Sequence, residues 1–206
     1  MFNSITDTEI SEQVPTSSHP WVWVGFLFAV GFLIIEILFV ALDLDEQSIN
    51  VFLMALAVGG WIYFLVCVYK IHKILNELAR GRYPISPGEA AGKHIIPFYN
   101  LYWLFKWPGE LSNYLTRQGR IRIISGAAIG GMLLFSLLLR FFDGAIGLAC
   151  VFGVMMYVSS KVKAHVKAVK GVTPDQLPPL PDPNMFGRPI QSTSPAQGVA
   201  EDSRAG

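Results

Sequence analysis

The sequence predicts an all-α integral membrane protein. Four helices cross the bilayer as a bundle, and a broken helical hairpin, re-entrant or interfacial, sits between the second and the third. Three observations carry this expectation. Charged residues make up only 15% of the 206 residues, against about 25% in an average soluble chain. The apolar residues, 52% of the total, gather into four blocks, each near the roughly 17–25 residues that cross a bilayer core. Lys and Arg avoid the turn between the first two blocks and cluster in the middle of the chain and after the fourth. The domain plan is a disordered cytoplasmic tail over residues 1–20, a membrane domain over 21–170 and a disordered, Pro-rich cytoplasmic tail over 171–206.

The first tail is polar and lacks Lys and Arg, so it has no basic region of the kind that opens a secretory signal. Residues 21–42 form the first span. Trp21 and Trp23 suit an aromatic belt at its start, and Asp43-Leu-Asp-Glu46 closes it. One charge, Glu36, lies inside it. Residues 49–69 form the second span. Its helix is expected to continue past the membrane, because Ile71, Ile74, Leu75 and Leu78 keep an i, i+3, i+4, i+7 stripe as far as Gly81.

Residues 84–118 are too polar for a plain span and too aromatic for a plain loop. Ser86, Pro87 and Glu89 make a capping box with proline at the first helical position. That helix is expected to run to Ile96, where Pro97 interrupts it. The stretch from 98 to 107 is apolar on nearly every side and needs cover from protein or lipid. It is also short and flanked by Lys93, His94, Asn100 and Lys106, which favours a re-entrant or interfacial segment over a span. Pro108-Gly109 is expected to break the helix again, leaving a short amphipathic helix over 110–117.

Residues 122–142 form the third span and 145–160 the fourth, joined by a minimal turn that forces an antiparallel hairpin. Small residues let such helices approach, and Gly126 and Gly130 offer a face for packing within the chain or for a homodimer. Arg140 ends the third span. The fourth helix leaves the membrane through a basic stretch in which Lys163, Lys167 and Lys170 share a face. Those three residues are a candidate patch for anionic lipid at the cytoplasmic surface.

Cytoplasmic loops are enriched in Lys and Arg. Four spans with both termini inside put every Lys and Arg but Arg140 on that side. The expected location is therefore the inner (plasma) membrane, multi-pass, with cytoplasmic termini. The run Pro84-Ile-Ser-Pro-Gly-Glu-Ala-Ala-Gly92, with Ile96-Pro-Phe-Tyr-Asn-Leu-Tyr-Trp103 after it, resembles a segment of uncharacterised bacterial multi-pass membrane proteins, a family of unknown function. The resemblance covers about a fifth of the chain and implies no chemistry. This sequence departs from it at Lys93-His94, where apolar residues are usual.

No nucleophile elbow, zinc-protease helix or phosphate-cradling glycine loop occurs. The histidines lack the spacing of metal ligands, and Cys67 and Cys150 read as small apolar residues inside spans. No catalytic residue, cofactor, metal or nucleic-acid partner is expected. The function expected is a non-enzymatic membrane module that assembles with membrane-protein partners in the bilayer. The alternatives are a small transporter or channel component using Glu36, His94 or Asn100, and a lipid-modifying membrane enzyme. Two constellations stand out: an intramembrane pair, Glu36 with Arg140, and a re-entrant site of His94, Asn100, Tyr102 and Trp103.

Overall fold

A computed structural model describes residues 17–42, 46–79, 83–117, 121 and 123–170. The two expected tails fall largely outside the described residues, as do residues 43–45, 80–82, 118–120 and 122. Among the described residues 82% are helical and none is in a strand. Six helices follow one another: α1 Trp23–Leu42, α2 Glu46–Leu78, α3 Pro87–Gly92, α4 Tyr99–Arg117, α5 Gly126–Leu139 and α6 Gly144–Lys170. Three of them, α1, α2 and α6, are long and apolar enough to cross a membrane. At 14 residues, α5 reaches only about 21 Å, short of the roughly 30 Å hydrocarbon core.

Three helices pack along much of their length. α1 runs antiparallel to α2, with Phe28 over Gly59 and Leu56 against Gly31. It also runs antiparallel to α6, where Phe152 fills the space a side chain at Gly25 would need and Phe32 does the same at Gly144. α2 and α6 are therefore parallel, and Leu148 seats on Gly60. Phe64, Val68, Ile71, Phe152, Met155 and Val158 form the shared interior. α2 is continuous from the apolar block through the stripe at Ile71, Ile74 and Leu75, all fully buried. The N-terminal strap lies along this extension: the Ser17 backbone N–H and hydroxyl both donate to the Glu77 carboxylate, and the Tyr63 hydroxyl donates to the Trp21 carbonyl at 2.7 Å.

The expected start of α3 is present. Ser86 caps it by accepting from the Glu89 N–H at 3.2 Å, with Pro87 at the first position. The helix stops at Gly92, earlier than Ile96, and a turn over 93–98 follows. A larger departure lies at Pro108. It does not break the chain, and α4 runs through it from Tyr99 to Arg117. Proline removes the N–H that would pair with the Leu104 carbonyl. That carbonyl faces Gly130 of α5, and Gly126 lies against the backbone of Pro108 and Gly109. Close packing against α5 holds the helix together where its own ladder is interrupted. Gly126 and Gly130 are thus buried inside the chain, and the face expected to serve a homodimer is occupied by α4.

Candidate functional site: the hairpin of α3 and α4

The turn at 93–98 sits deep along α2. The His94 ring packs edge-on to Phe64, with ring centroids 5.2 Å apart, and to Trp61 at 6.2 Å. From there α4 returns along α2 toward its far end. Trp103 donates through Nε1 to the Ala90 carbonyl at 2.9 Å, tying α4 to α3. Trp107 reaches the edge of His72 at 5.5 Å. Tyr114 meets Tyr83 at 5.2 Å and His165 of α6 at 6.0 Å. On this inner side Trp103, Leu104, Trp107, Leu111, Tyr114 and Leu115 are all buried.

The outer side is the reverse. Ile95, Ile96, Leu101 and Tyr102 are more than half exposed, and Phe98 is 90% exposed. Phe98 also has φ 61°, the one non-glycine residue with positive φ among those described. Left-handed backbone costs an L-residue roughly 1–2 kcal/mol. The turn satisfies many of its own amides: His94 N–H donates to Ala91, Ile95 to Gly92, Asn100 to Ile96 and Leu101 to Phe98.

The polar residues that make 84–118 read as unlike a span are matched locally. Lys93 pairs with Glu89 and lies over the Trp103 ring, 4.4 Å from its centroid. Lys106 pairs with Glu110 at 2.7 Å. Hydrogen bonding to these carboxylates holds both ammonium groups above the usual lysine range. Burial pushes His94 down to about 4, against a smaller opposing pull from its hydrogen bond to Asn100.

Of the expected re-entrant site, the structure joins His94 to Asn100 through a 2.6 Å Nδ1···Oδ1 contact and packs Trp103 nearby. Tyr102 points away and is exposed. The expected pair of Glu36 with Arg140 is not formed. Lys93 pairs with Glu89 and Lys106 with Glu110, whereas the charge that acts on Glu36 is the like charge of Asp143. Asp143 lies just past Arg140 in the chain, so reasoning from helix ends alone brought the right turn to Glu36 but the wrong residue. Lys163 and Lys167 are exposed on α6, and the side chain of Lys170 lies outside the described residues.

Sequence reasoning missed the buried edge-on packing of His72 against Tyr83 and Trp107. Their separation along the chain hides it, although His72 in the otherwise apolar stripe of α2 is a signal in hindsight. No group of three or more His, Cys, Asp or Glu among the described residues could hold a metal ion. No protein-family model matches the chain, and no curated protein or solved structure matches it.

Proposed function

We propose that the chain is a non-catalytic membrane module of the inner membrane. It crosses four times with both termini cytoplasmic, and its α3–α4 hairpin re-enters the cytoplasmic leaflet and recruits membrane-protein partners there. The observation that carries this reading is the depth and exposure of the hairpin tip. His94 meets α2 at Phe64 and Trp61. Those residues lie five and eight positions inside Tyr69, the expected end of the span, or roughly 8–12 Å at 1.5 Å per residue. Next to His94, the apolar side chains of Ile95, Ile96 and Phe98 face outward.

In water Phe98 would bear both its strained backbone and its exposed ring. In lipid the ring is covered, and transfer of an aromatic side chain contributes about 1.5–3 kcal/mol. Local hydrogen bonding in the turn supports the same reading, because unpaired backbone is costly at that depth. The fourth crossing is α5, shorter than a full span. Parallel α2 and α6 support it, since an odd number of crossings between them is what sets two helices parallel.

The module reading draws on the apolar character of the depressions that are described. Two surface depressions, of about 360 and 560 Å³, are described, and both are lined mainly by apolar residues. A transport reading is favoured by one observation, the part-buried His94–Asn100 contact at that depth. Affinity capture in mild detergent, read by mass spectrometry, separates the two. The module reading expects a specific partner on the wild-type chain that is lost when Ile95, Ile96 and Phe98 are all changed to Ser. No specific partner on the wild type would favour transport.

A further inference from the structure

Along one side of α2 lies a groove of about 360 Å³, walled by α2 itself, the N-terminal strap and Ala91 of α3. Its chemistry changes in one direction. Ile62, Leu65 and Val66 line the end toward the middle of the expected span. Tyr69, where that span is expected to end, comes next. Lys70 and Lys73 lie beyond it, and Ser17 and Ser18 of the strap complete the lining. Ile62, Val66, Tyr69 and Lys73 follow one another at i, i+4, i+7 and i+11, so they share one face of the helix. That face runs for roughly 16 Å at 1.5 Å per residue.

The two lysines differ from those of the hairpin. Lys93 and Lys106 each have a carboxylate, but neither Lys70 nor Lys73 is in an ion pair among the described residues. Glu77, one turn past Lys73, is engaged by the Ser17 N–H and hydroxyl. The same contact fixes the strap as a wall of the groove. Lys73 is exposed and Lys70 half-buried, and lysine stems are themselves apolar, so they prolong the trough while the ammonium heads reach toward water. The groove therefore joins two uncompensated positive charges to an apolar trough. A soluble anion would use only the first, and a plain hydrocarbon only the second.

We propose that this groove binds one anionic glycerophospholipid. Its phosphate sits at Lys70 and Lys73, and part of one acyl chain lies along Ile62, Leu65 and Val66, with the rest of the lipid in the bilayer. The order of groups along the groove matches that of a lipid standing in a leaflet, phosphate at the interface and chain inward. Lysine binds phosphate as a point charge, and basic residues at the end of a span attract anionic headgroups. The exposed Ser18 hydroxyl can donate to a phosphate oxygen. The site is separate from the basic face of Lys163 and Lys167 on α6. It rests on the reading that α2 crosses the membrane and leaves it near Tyr69, and it needs neither the re-entrant hairpin nor a protein partner.

The test is native mass spectrometry of the whole chain in detergent micelles, with phosphatidylglycerol and phosphatidylcholine of the same chain length added in turn. The wild type should retain one phosphatidylglycerol at a concentration at which phosphatidylcholine, whose choline balances its phosphate, is lost. Lys70→Gln together with Lys73→Gln should weaken that retention on the order of tenfold. Val66→Trp, which fills the trough and leaves the charge unchanged, should weaken it as well. Equal retention of the two lipids by the wild type, or undiminished retention by either variant, would overturn the proposal. Excess glycerol phosphate should not displace the lipid, and displacement would reassign the lysines to a soluble phosphate. An alkaline carbonate wash of cell membranes keeps this proposal apart from the membrane reading. The chain should stay in the pellet. Its release would sink the membrane reading and the lipid site together, whereas a chain that stays while its variants bind lipid unchanged would sink the lipid site alone.

Discussion

A methyl group at Gly126 would lie 2.3 Å from the Gly109 Cα, and one at Gly130 would lie 2.6 Å from the Phe105 ring. Backbone cannot move aside as a side chain can, so Gly126→Ala should destabilise by about 1–3 kcal/mol, the usual range for overpacking. Gly131→Ala is the control, because nothing lies within 4 Å of its added carbon, and its melting temperature in detergent should match the wild type. The Gly-x-x-x-Gly spacing was legible in the sequence, but the element it serves was not, because spacing gives a face and not its partner. His94 makes the second residue-scale prediction. Its buried ring titrates near 4 in place of about 6.5, so the unfolded chain binds more protons between those values. Stability is therefore full above about pH 6.5 and falls as the pH drops toward 4, by on the order of 3 kcal/mol. A thermal series from pH 7.5 to 4.5 should show this loss, and His94→Gln should lessen it without abolishing it, because burial also pushes His72 down to about 4. An equal acid loss in the variant would move the titration to another group.

At the scale of elements, the start of α3 was legible in full, since capping is local chemistry and Ser86, Pro87 and Glu89 carry all of it. Ser86→Ala should cost about 1 kcal/mol, read as a lower melting temperature with an unchanged helix signal at low temperature. The end of α3 and the continuity of α4 were not legible. Pro108 breaks a helix by local rules, and only the backbone of α5, brought close by two glycines, supplies the packing that carries α4 through. The two neutralised lysines, by contrast, belong to local i, i+4 pairs, Glu89 with Lys93 and Lys106 with Glu110, a spacing that the sequence carries. The polarity that set 84–118 apart from a span is thus largely cancelled in the folded hairpin.

For the molecule as a whole, the two helical hairpins differ in reach. Gly144 at the start of α6 meets Phe32, and α1 continues to Leu42, ten residues or roughly 15 Å further. Leu33, Ile34, Ile37, Leu38, Val40 and Leu42 are exposed on this overhang, as are Val51, Phe52 and Met54 across from it on α2. Apolar composition foretold the helices, but their relative heights depend on contacts between distant glycines and aromatic rings. That difference in height also explains why Arg140 does not meet Glu36 as helix-end reasoning expected. The overhang is the second surface, after the hairpin tip, that lipid or a partner helix must cover.

The central claim is that the chain between α2 and α5 enters the membrane and returns to the side it left. Single cysteines at Asn76, near the end of α2, and at Thr116, near the end of α4, test it most directly in a background with Cys67 and Cys150 replaced by Ala. Intact cells are treated with an impermeant thiol reagent, and a parallel sample is treated after lysis. The account predicts that both positions are protected in intact cells and both react after lysis. Labelling of one in intact cells, with protection of the other, would mean that the hairpin crosses the membrane and would contradict the account.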